Sequence, residues 1–301
     1  MVADTHDRMI HNLVLLSSGW SELVARSRHS YPDGFSSPTD LVHAAAALGM
    51  PALGLCDRNG LQGAAELARA ATNAGIHPVI GAELDLAGDD RLRLLATDAS
   101  AYRNISRAID AAQRAGEKRQ ARLDIFGDAD NPDPNLQLAH HRNRIIEPSR
   151  QGPTGPPARV DPDELRGCVV LAGGRGSAIT RALMAGESRV ARRHLDRLRE
   201  GFGRDSVGLL LTNHLRPADP WLVTETAALA GRGRVDLVAS NLPVHASAGD
   251  NPRLANVEYR LKSEVELREL LSAHPQAFHN AAAIAARCAV ALDPLPSPDY
   301  R

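Results

Sequence analysis

Short apolar runs alternate with longer alanine-rich segments along most of the chain. The short runs have the length and composition of buried strands, and they lie at 51–56, 78–86, 91–97, 168–174, 206–212 and 236–240. The longer segments repeat apolar residues at helical spacing, which predicts helices at 38–49, 60–75, 100–116, 177–186, 188–203, 219–231 and, with a break near Pro275, 251–290. Strands that alternate with helices favour a mostly parallel sheet or a β/α barrel.

The stretch 117–163 interrupts this alternation, because it is rich in Pro, Asn, Asp and Arg. Such a composition predicts a long surface loop that is partly disordered. Its segment HHRNR, at 140–144, is the most basic exposed candidate; a solvated loop is the favoured interpretation and a binding arm is the alternative. In β/α barrels the chemistry lies where strands end and loops begin, so the strand ends are the positions to inspect.

The composition excludes several classes of protein. Of 301 residues 43% are hydrophobic but only 3% are aromatic, which predicts an aliphatic core, and a net charge of −1 gives no overall argument for nucleic-acid binding. The three cysteines are far apart and form no CxxC pair, which argues against disulfides or a thiolate zinc site. No apolar run reaches the roughly 18 residues of a membrane span, and residues 1–16 do not resemble a signal peptide. We therefore expect a cytoplasmic protein without membrane association.

Two local patterns have plain interpretations. Residues 173–177, GGRGS, follow a strand and open a helix, where an anion can bind in principle. They lack the lysine of the GxxxxGK[ST] phosphate-binding loop. The helix at 189–204 alternates arginine with acidic residues, which is typical of a solvated face.

The segment 22–84 contains the most specific pattern in the chain. Its polar steps are PDG at 32–34, CDR at 56–58 and GAE at 81–83. Without gaps, this segment resembles the opening of the PHP domain in bacterial DNA polymerase III alpha subunits, particularly of the error-prone type. Weaker similarity at 94–109, 238–246 and 274–296 extends the resemblance over most of the chain.

The resemblance implies a single α/β domain, a distorted (β/α)7-type PHP barrel with a long loop insertion at about 117–163. It places the barrel at 21–296, between an N-terminal extension at 1–20 and a C-terminal tail at 297–301. Nothing in the chain resembles the acidic Asp-x-Asp motif of nucleotide transfer, so we do not expect polymerase activity in these residues.

In catalytic members of the family, a cluster of His, Asp and Glu side chains at the strand ends holds two or three metal ions for phosphoester hydrolysis. The resemblance maps nine ligand positions onto this chain. Four of them keep a side chain that can bind a metal: Asp33, Glu83, His214 and His245. Five do not: Val24, Arg26, Arg58, Ala178 and Pro243. Asp57 remains beside Arg58, where the family has a ligating histidine, and completes the vestigial pocket.

Two of these replacements, Arg26 and Arg58, are arginines, which are always charged and have no lone pair for a metal. Fixed positive charges in a pocket repel an incoming cation, and they can pair with Asp33, Asp57 or Glu83. We therefore expect no intact metal site and no cofactor, with a single weakly bound zinc or manganese ion as the alternative. Apart from the resemblance, the carboxylates are interpreted as ordinary strand-end groups that cap helices or pair with arginine, and His214 and His245 as loop histidines.

The leading hypothesis is a catalytically inactive PHP-like domain, a structural and protein-interaction module linked to error-prone DNA synthesis or repair. Its expected partners are a DNA polymerase or other replication and repair proteins. The alternative is a metal-dependent phosphoesterase or 3′–5′ exonuclease with a rearranged site. A second alternative is a DNA-binding accessory protein that uses the arginine-rich loop and the pocket arginines.

Overall fold

The computed structural model of the chain describes residues 19–30, 33–116, 121–127, 156–246 and 257–290. Residues 1–18, the basic segment 140–144 and the tail 297–301 lie outside this range. The described strands are β1 (Glu22–Ala25), β2 (Ala52–Arg58), β3 (His77–Asp85), β4 (Arg91–Ala96), β5 (Leu123–Asp124), β6 (Ala158–Arg159), β7 (Cys168–Ala172), β8 (Val207–Leu211) and β9 (Asp236–Ala239). The described α-helices are α1 (Pro38–Ala47), α2 (Ala64–Ala74), α3 (Ala99–Ala115), α4 (Ala178–Met184), α5 (Ser188–Phe202), α6 (Asp219–Gly233), α7 (Glu264–Leu270) and α8 (Gln276–Arg287).

Seven strands form one sheet in the order β1-β2-β3-β4-β7-β8-β9. The strands β1, β2 and β3 are parallel, β4 runs antiparallel to both β3 and β7, and β7, β8 and β9 are again parallel. Six strands therefore end at the same edge of the sheet, and β4 begins there. This mixed α/β sheet confirms the predicted PHP-type barrel, with β4 as the one antiparallel member of the seven.

The two ends of the sheet are joined by the side chains of Trp20 and Glu22. The indole Nε1 of Trp20 donates to the carbonyl oxygen of Ala239 at 3.1 Å. The buried carboxylate of Glu22 accepts hydrogen bonds from Ser240 Oγ at 2.6 Å and from the backbone N–H of Asn241 at 2.8 Å. Burial raises the pKa of Glu22, because an ionised carboxylate loses its hydration there. These contacts curl the sheet, because they bring β1 next to the carboxyl end of β9.

The core is aliphatic, as the composition predicts. Leu23, Leu53, Ile80 and Leu94 are all fully buried in the sheet, and burying a side chain of this size stabilises a fold by about 1.5–3 kcal/mol. Close strand packing explains Gly54, since a Cβ atom there would lie 2.1 Å from the carbonyl oxygen of Leu23. Any side chain at that position would therefore push β1 and β2 apart.

The predicted helices are present, with ends shifted by a few residues. α1 begins after Ser37, whose Oγ accepts the backbone N–H of Asp40 at 3.0 Å, and α2 ends at Gly75 in the left-handed region. The break predicted near Pro275 separates α7 from α8. The prediction of helix across 251–263 is wrong where the chain is described, because 257–259 form a 3-10 turn and 260–263 are not helical. No helix in the described part is both long and apolar enough to cross a membrane.

The predicted surface loop at 117–163 is wrong in part. The short strands β5 and β6 pair in parallel within it, and Leu123, Ile125 and Val160 are buried. A few apolar residues among many polar ones gave too weak a periodic signal, although they complete the core beside α3. Segments 117–120 and 128–155 lie outside the described residues. Strand β1 was also missed, because four residues are too short to show a period.

Candidate functional site

The edge at which the parallel strands end collects a group of charged side chains. Register pairs Glu83 of β3 with Arg58 of β2 on one side and with Arg93 of β4 on the other. Because alternate residues of a strand point to the same face, Asp85 and Arg91 extend this group along β3 and β4. We call it the arginine–carboxylate cluster, and its members are Arg26, Asp33, Arg58, Glu83, Asp85, Arg91 and Arg93.

Glu83 is the centre of this cluster, and its carboxylate is fully buried. Its Oε2 accepts a hydrogen bond from Nη2 of the buried Arg26 and lies 2.7 Å from Nη2 of Arg93. Arg93 is held in turn by the carbonyl oxygens of Gly173 at 2.6 Å and Arg175 at 2.7 Å. Two buried guanidinium groups therefore neutralise one buried carboxylate.

The electrostatics follow from this packing. Burial by itself opposes ionisation of Glu83, but the positive charges of Arg26, Arg93 and Arg91 outweigh it and lower the pKa of Glu83 to about 2. Burial lowers the pKa of Arg93, and the attraction of Glu83 opposes that shift. Glu83 is therefore ionised at neutral pH and serves as counter-charge to arginine.

The outer part of the cluster is partly exposed. Arg58 Nε donates to both carboxylate oxygens of Asp85, at 3.0 and 2.8 Å, and Arg91 Nε donates to the same carboxylate at 3.2 Å. Asp33 is held more loosely, with one oxygen 3.6 Å from Arg58 Nη1 and 3.8 Å from Arg26 Nη1. Asp33 therefore lies between the two arginines that replace family ligands.

Asp57 lies apart from the cluster and has a structural role. Its carboxylate accepts the backbone N–H of Ser27 at 2.8 Å, the hydroxyl of Ser27 at 2.8 Å and the hydroxyl of Ser30 at 2.7 Å. These bonds fix the loop that leads from β1 towards α1. Asp57 is therefore a strand-end carboxylate that holds a loop.

His214 follows β8 and is buried. Its Nε2 lies 2.7 Å from the carbonyl oxygen of Asn241, and because a carbonyl only accepts, this nitrogen carries the proton and donates. The ring stacks on Tyr259 with centroids 4.0 Å apart. Burial lowers the pKa of His214 to about 4, so the imidazole is neutral at pH 7. In this arrangement Nε2 therefore has no lone pair with which to bind a metal.

The remaining mapped positions take part in packing and backbone contacts. His245 stacks on Phe35 with ring centroids 4.6 Å apart, and burial lowers the pKa of His245. Pro243 offers its carbonyl oxygen to the backbone N–H of Arg26 at 2.9 Å. Val24 is buried in β1, and Ala178, at the start of α4, donates its backbone N–H to Asp90 at 2.6 Å.

Sequence reasoning missed three members of the cluster, which are Asp85, Arg91 and Arg93. A signal for them was present, since Arg91 and Arg93 alternate with leucines in the predicted strand RLRLL. Alternation at period two places both arginines on one face. What the sequence did not reveal is that both faces of β4 are buried, so that Arg93 lies inside the fold.

The residues present do not fit the metal centre of catalytic relatives. Such a centre requires several oxygen or imidazole donors around each ion. Within the described ranges, no group of three or more His, Cys, Asp or Glu side chains is arranged to hold a metal. Guanidinium groups stand at two of the mapped ligand positions, and one of them contacts the retained Glu83.

A curled sheet of mostly parallel strands, with helices packed along it and polar residues at the strand ends, defines a β/α-barrel domain. The family model described as "PHP domain" matches residues 22–214, and the chain belongs to this family.

Relatives found by sequence include error-prone DNA polymerases. That of Mycobacterium tuberculosis is 30% identical over 308 residues, which cover 92% of this chain and 25% of the relative. That of Corynebacterium diphtheriae is 44% identical over 102 residues, covering 34% of this chain and 10% of the relative. The chain therefore spans about a quarter of the length of the mycobacterial polymerase.

A solved structure supports the fold. A proposed metal-dependent phosphoesterase from Bifidobacterium adolescentis superposes with a TM-score of 0.51 at 17% sequence identity, covering 85% of this chain and 96% of that chain. At this level of identity the likeness concerns the arrangement of strands and helices.

Proposed function

We propose that this chain is a PHP domain without hydrolytic activity, which acts as a structural and protein-interaction module in error-prone DNA synthesis or repair. The observation that carries the proposal is the hydrogen bond from Arg26 to Glu83. Arg26 stands at a position where catalytic relatives have a metal-binding histidine, and it binds a carboxylate that those relatives give to a metal.

Electrostatics support the loss of metal binding. Arg26, Arg91 and Arg93 surround Glu83, so a cation that approached this carboxylate would meet three fixed positive charges. At an effective dielectric constant near 20, two unit charges 4 Å apart repel by about 4 kcal/mol, and a divalent ion doubles that cost. A metal would also have to displace Arg26 from its buried ion pair.

The preserved fold supports a role as a module. The carboxylates of Asp57 and Glu22 are held by buried hydrogen bonds, and the core is buried and mostly aliphatic. A domain with this buried core can present a surface to partner proteins without a metal centre.

The similarity to error-prone DNA polymerases supports the proposed partners. This chain matches about a quarter of those relatives, so a polymerase body or a proofreading exonuclease that works beside one is the natural companion. The partner is tested by mixing the purified chain with the error-prone polymerase of the same cell and measuring association by analytical ultracentrifugation. A complex of defined stoichiometry supports the module, and two independent sedimenting species contradict it.

The catalytic part of the proposal is tested by an assay for phosphoester hydrolysis. The purified chain is supplied with manganese, zinc or iron(II) and with bis-p-nitrophenyl phosphate, a generic phosphodiester. The proposal predicts no turnover above the rate with metal alone. Turnover that disappears in both Glu83→Ala and His214→Ala, but persists in the exposed control Arg69→Gln, would establish the alternative, a phosphoesterase with a rearranged site.

A further inference from the structure

A second concentration of positive charge lies on the outer helices α5 and α6. They border a groove of about 580 Å³, which is lined by Ser188, Arg189, Arg192, Arg193, Glu225 and Arg232. The sequence pattern predicts a solvated face of paired charges on α5. Arg192 fits that prediction, because its Nε donates to Asp196 at 2.8 Å.

The other three arginines of the groove do not fit that prediction. Among the described residues, Arg189, Arg193 and Arg232 have no carboxylate within 4.0 Å. The Nε of Arg193 is buried without a hydrogen-bond partner there. Arginines at 189, 192 and 193 stand three and four positions apart, a spacing at which like charges destabilise a helix. An anion bound in the groove would offset that repulsion.

An exposed aromatic side chain stands on the same face of α6. At 3.6 residues per turn, Trp221, Glu225 and Arg232 lie within about 40° of one another around the helix axis. Trp221 is 45% exposed, and in the described part of the chain its ring has no stacked or cation–π partner. Trp221 and Arg232 are separated by roughly 16 Å along the axis. This face of α6 therefore carries an aromatic ring near one end and a guanidinium group near the other.

We propose that the groove between α5 and α6 binds single-stranded nucleic acid. Backbone phosphates would lie against Arg189, Arg193 and Arg232, because a guanidinium matches the geometry and charge of a phosphate. A base would stack on Trp221, as aromatic platforms do in proteins that bind single strands. A duplex keeps its bases stacked inside, and an acidic peptide supplies carboxylates without the base. A single strand is the ligand that uses both the arginines and the exposed tryptophan. This inference does not depend on the arginine–carboxylate cluster.

The first test is a binding titration at several salt concentrations. The 301-residue chain is added to a fluorescein-labelled oligonucleotide of about 12 thymidines, a length within known single-strand site sizes, and anisotropy is followed. For single strands the slope of log affinity against log salt is about −0.7 per phosphate contact. A triple variant should bind weakly and show a slope that is smaller in magnitude by about 2, because three phosphate contacts are removed. Its substitutions are Arg189→Gln, Arg193→Gln and Arg232→Gln. The control Arg69→Gln, an exposed arginine on α2, keeps both affinity and slope.

The second test reads the tryptophan directly. The chain has two tryptophans, and Trp20 is 2% exposed and packed edge-on against Phe278, so quenching by the oligonucleotide reports on Trp221. The substitution Trp221→Ala is expected to weaken binding roughly 5- to 100-fold and to remove the quenching. The proposal is overturned if the chain does not bind at low salt, or if the triple variant binds like the parent. It is also overturned if a blunt duplex or poly-glutamate binds as tightly as the single strand.

Discussion

The carboxylate of Glu83 and the guanidinium of Arg93 form an ion pair 2.7 Å apart in which both side chains are fully excluded from solvent. The antiparallel register of β3 and β4 places Glu83 directly opposite Arg93, which brings the two side chains together. Arg26, which follows β1 directly, reaches the same carboxylate. The ends of three neighbouring strands are therefore tied together at Glu83.

Removal of the central carboxylate should destabilise the fold strongly. Glu83→Gln leaves Arg93 buried without a carboxylate partner and Arg26 with only its looser contact to Asp33, and breaking a buried pair in this way costs about 3–5 kcal/mol. The free energy of unfolding in urea measures the effect. Asp163→Asn is the control, because its pair with Arg166 is about three-quarters exposed, and it is expected to change stability by about 1 kcal/mol or less. Equal effects of the two variants would contradict the described network.

The two pocket arginines should differ in their contribution to stability. Arg26 is buried and holds Glu83, and Arg93 still pairs with that carboxylate when Arg26 is removed, so Arg26→Ala is expected to cost about 1.5–3 kcal/mol, the loss of a charged hydrogen bond. Arg58 is 30% exposed and shares Asp85 with Arg91, so Arg58→Ala is expected to cost about 1 kcal/mol. Urea unfolding of the two variants side by side gives the comparison. If Arg58→Ala lowered the free energy of unfolding more than Arg26→Ala, the buried pair of Arg26 and Glu83 would not be the stronger contact.

The contribution of Glu83 to the free energy of unfolding should decrease at acid pH. Its pKa in the fold is about 2, against an ordinary value of 4.5. A carboxyl with a depressed folded pKa stabilises the fold fully above its unfolded pKa, and that contribution is lost as the pH falls towards the folded value. The difference in unfolding free energy between the parent and Glu83→Gln should therefore be constant above about pH 5 and shrink between pH 4.5 and 2. A difference that persists unchanged to pH 2 would show that Glu83 is not the ionised centre.

His214 should remain neutral well below the usual range of histidine. Burial lowers its pKa to about 4 from an ordinary value of 6.5, so the unfolded chain binds a proton there before the folded chain does. The stability that depends on neutral His214 is full above pH 6.5 and declines as the pH falls to 4. Titration of the imidazole by 15N NMR measures this directly. A midpoint near 6.5 would contradict the described burial of His214, because burial is what lowers its pKa.

The sequence predicted the order of strands and helices well, because most elements carry a clear period. The α1 start at Ser37 and Pro38 and the α2 stop at Gly75 were read directly from cap residues. The prediction failed where the signal was too short, as in β1, or diluted by polar residues, as in the buried pair β5 and β6.

The site was less predictable than the fold. Resemblance to the family located Arg26, Arg58 and Glu83 at the strand ends, and the structure brings these three together. It did not locate Arg93, because the family comparison covers metal ligands and Arg93 is not at a ligand position. Its role depends on the antiparallel register of β3 and β4, which single-sequence patterns do not specify. Asp57, by contrast, was grouped with the pocket and instead holds the loop after β1.

The proposed loss of metal binding at Glu83 is tested most directly by the metal content of the folded chain. The purified 301-residue protein is dialysed against manganese, zinc and iron(II) at neutral pH, passed through a desalting column and analysed by inductively coupled plasma mass spectrometry, with Glu83→Gln in parallel. Because the guanidinium groups of Arg26, Arg91 and Arg93 surround Glu83, we predict far less than one metal per chain and no difference between the two proteins. One or more metal ions retained by the parent and lost from Glu83→Gln would contradict the account.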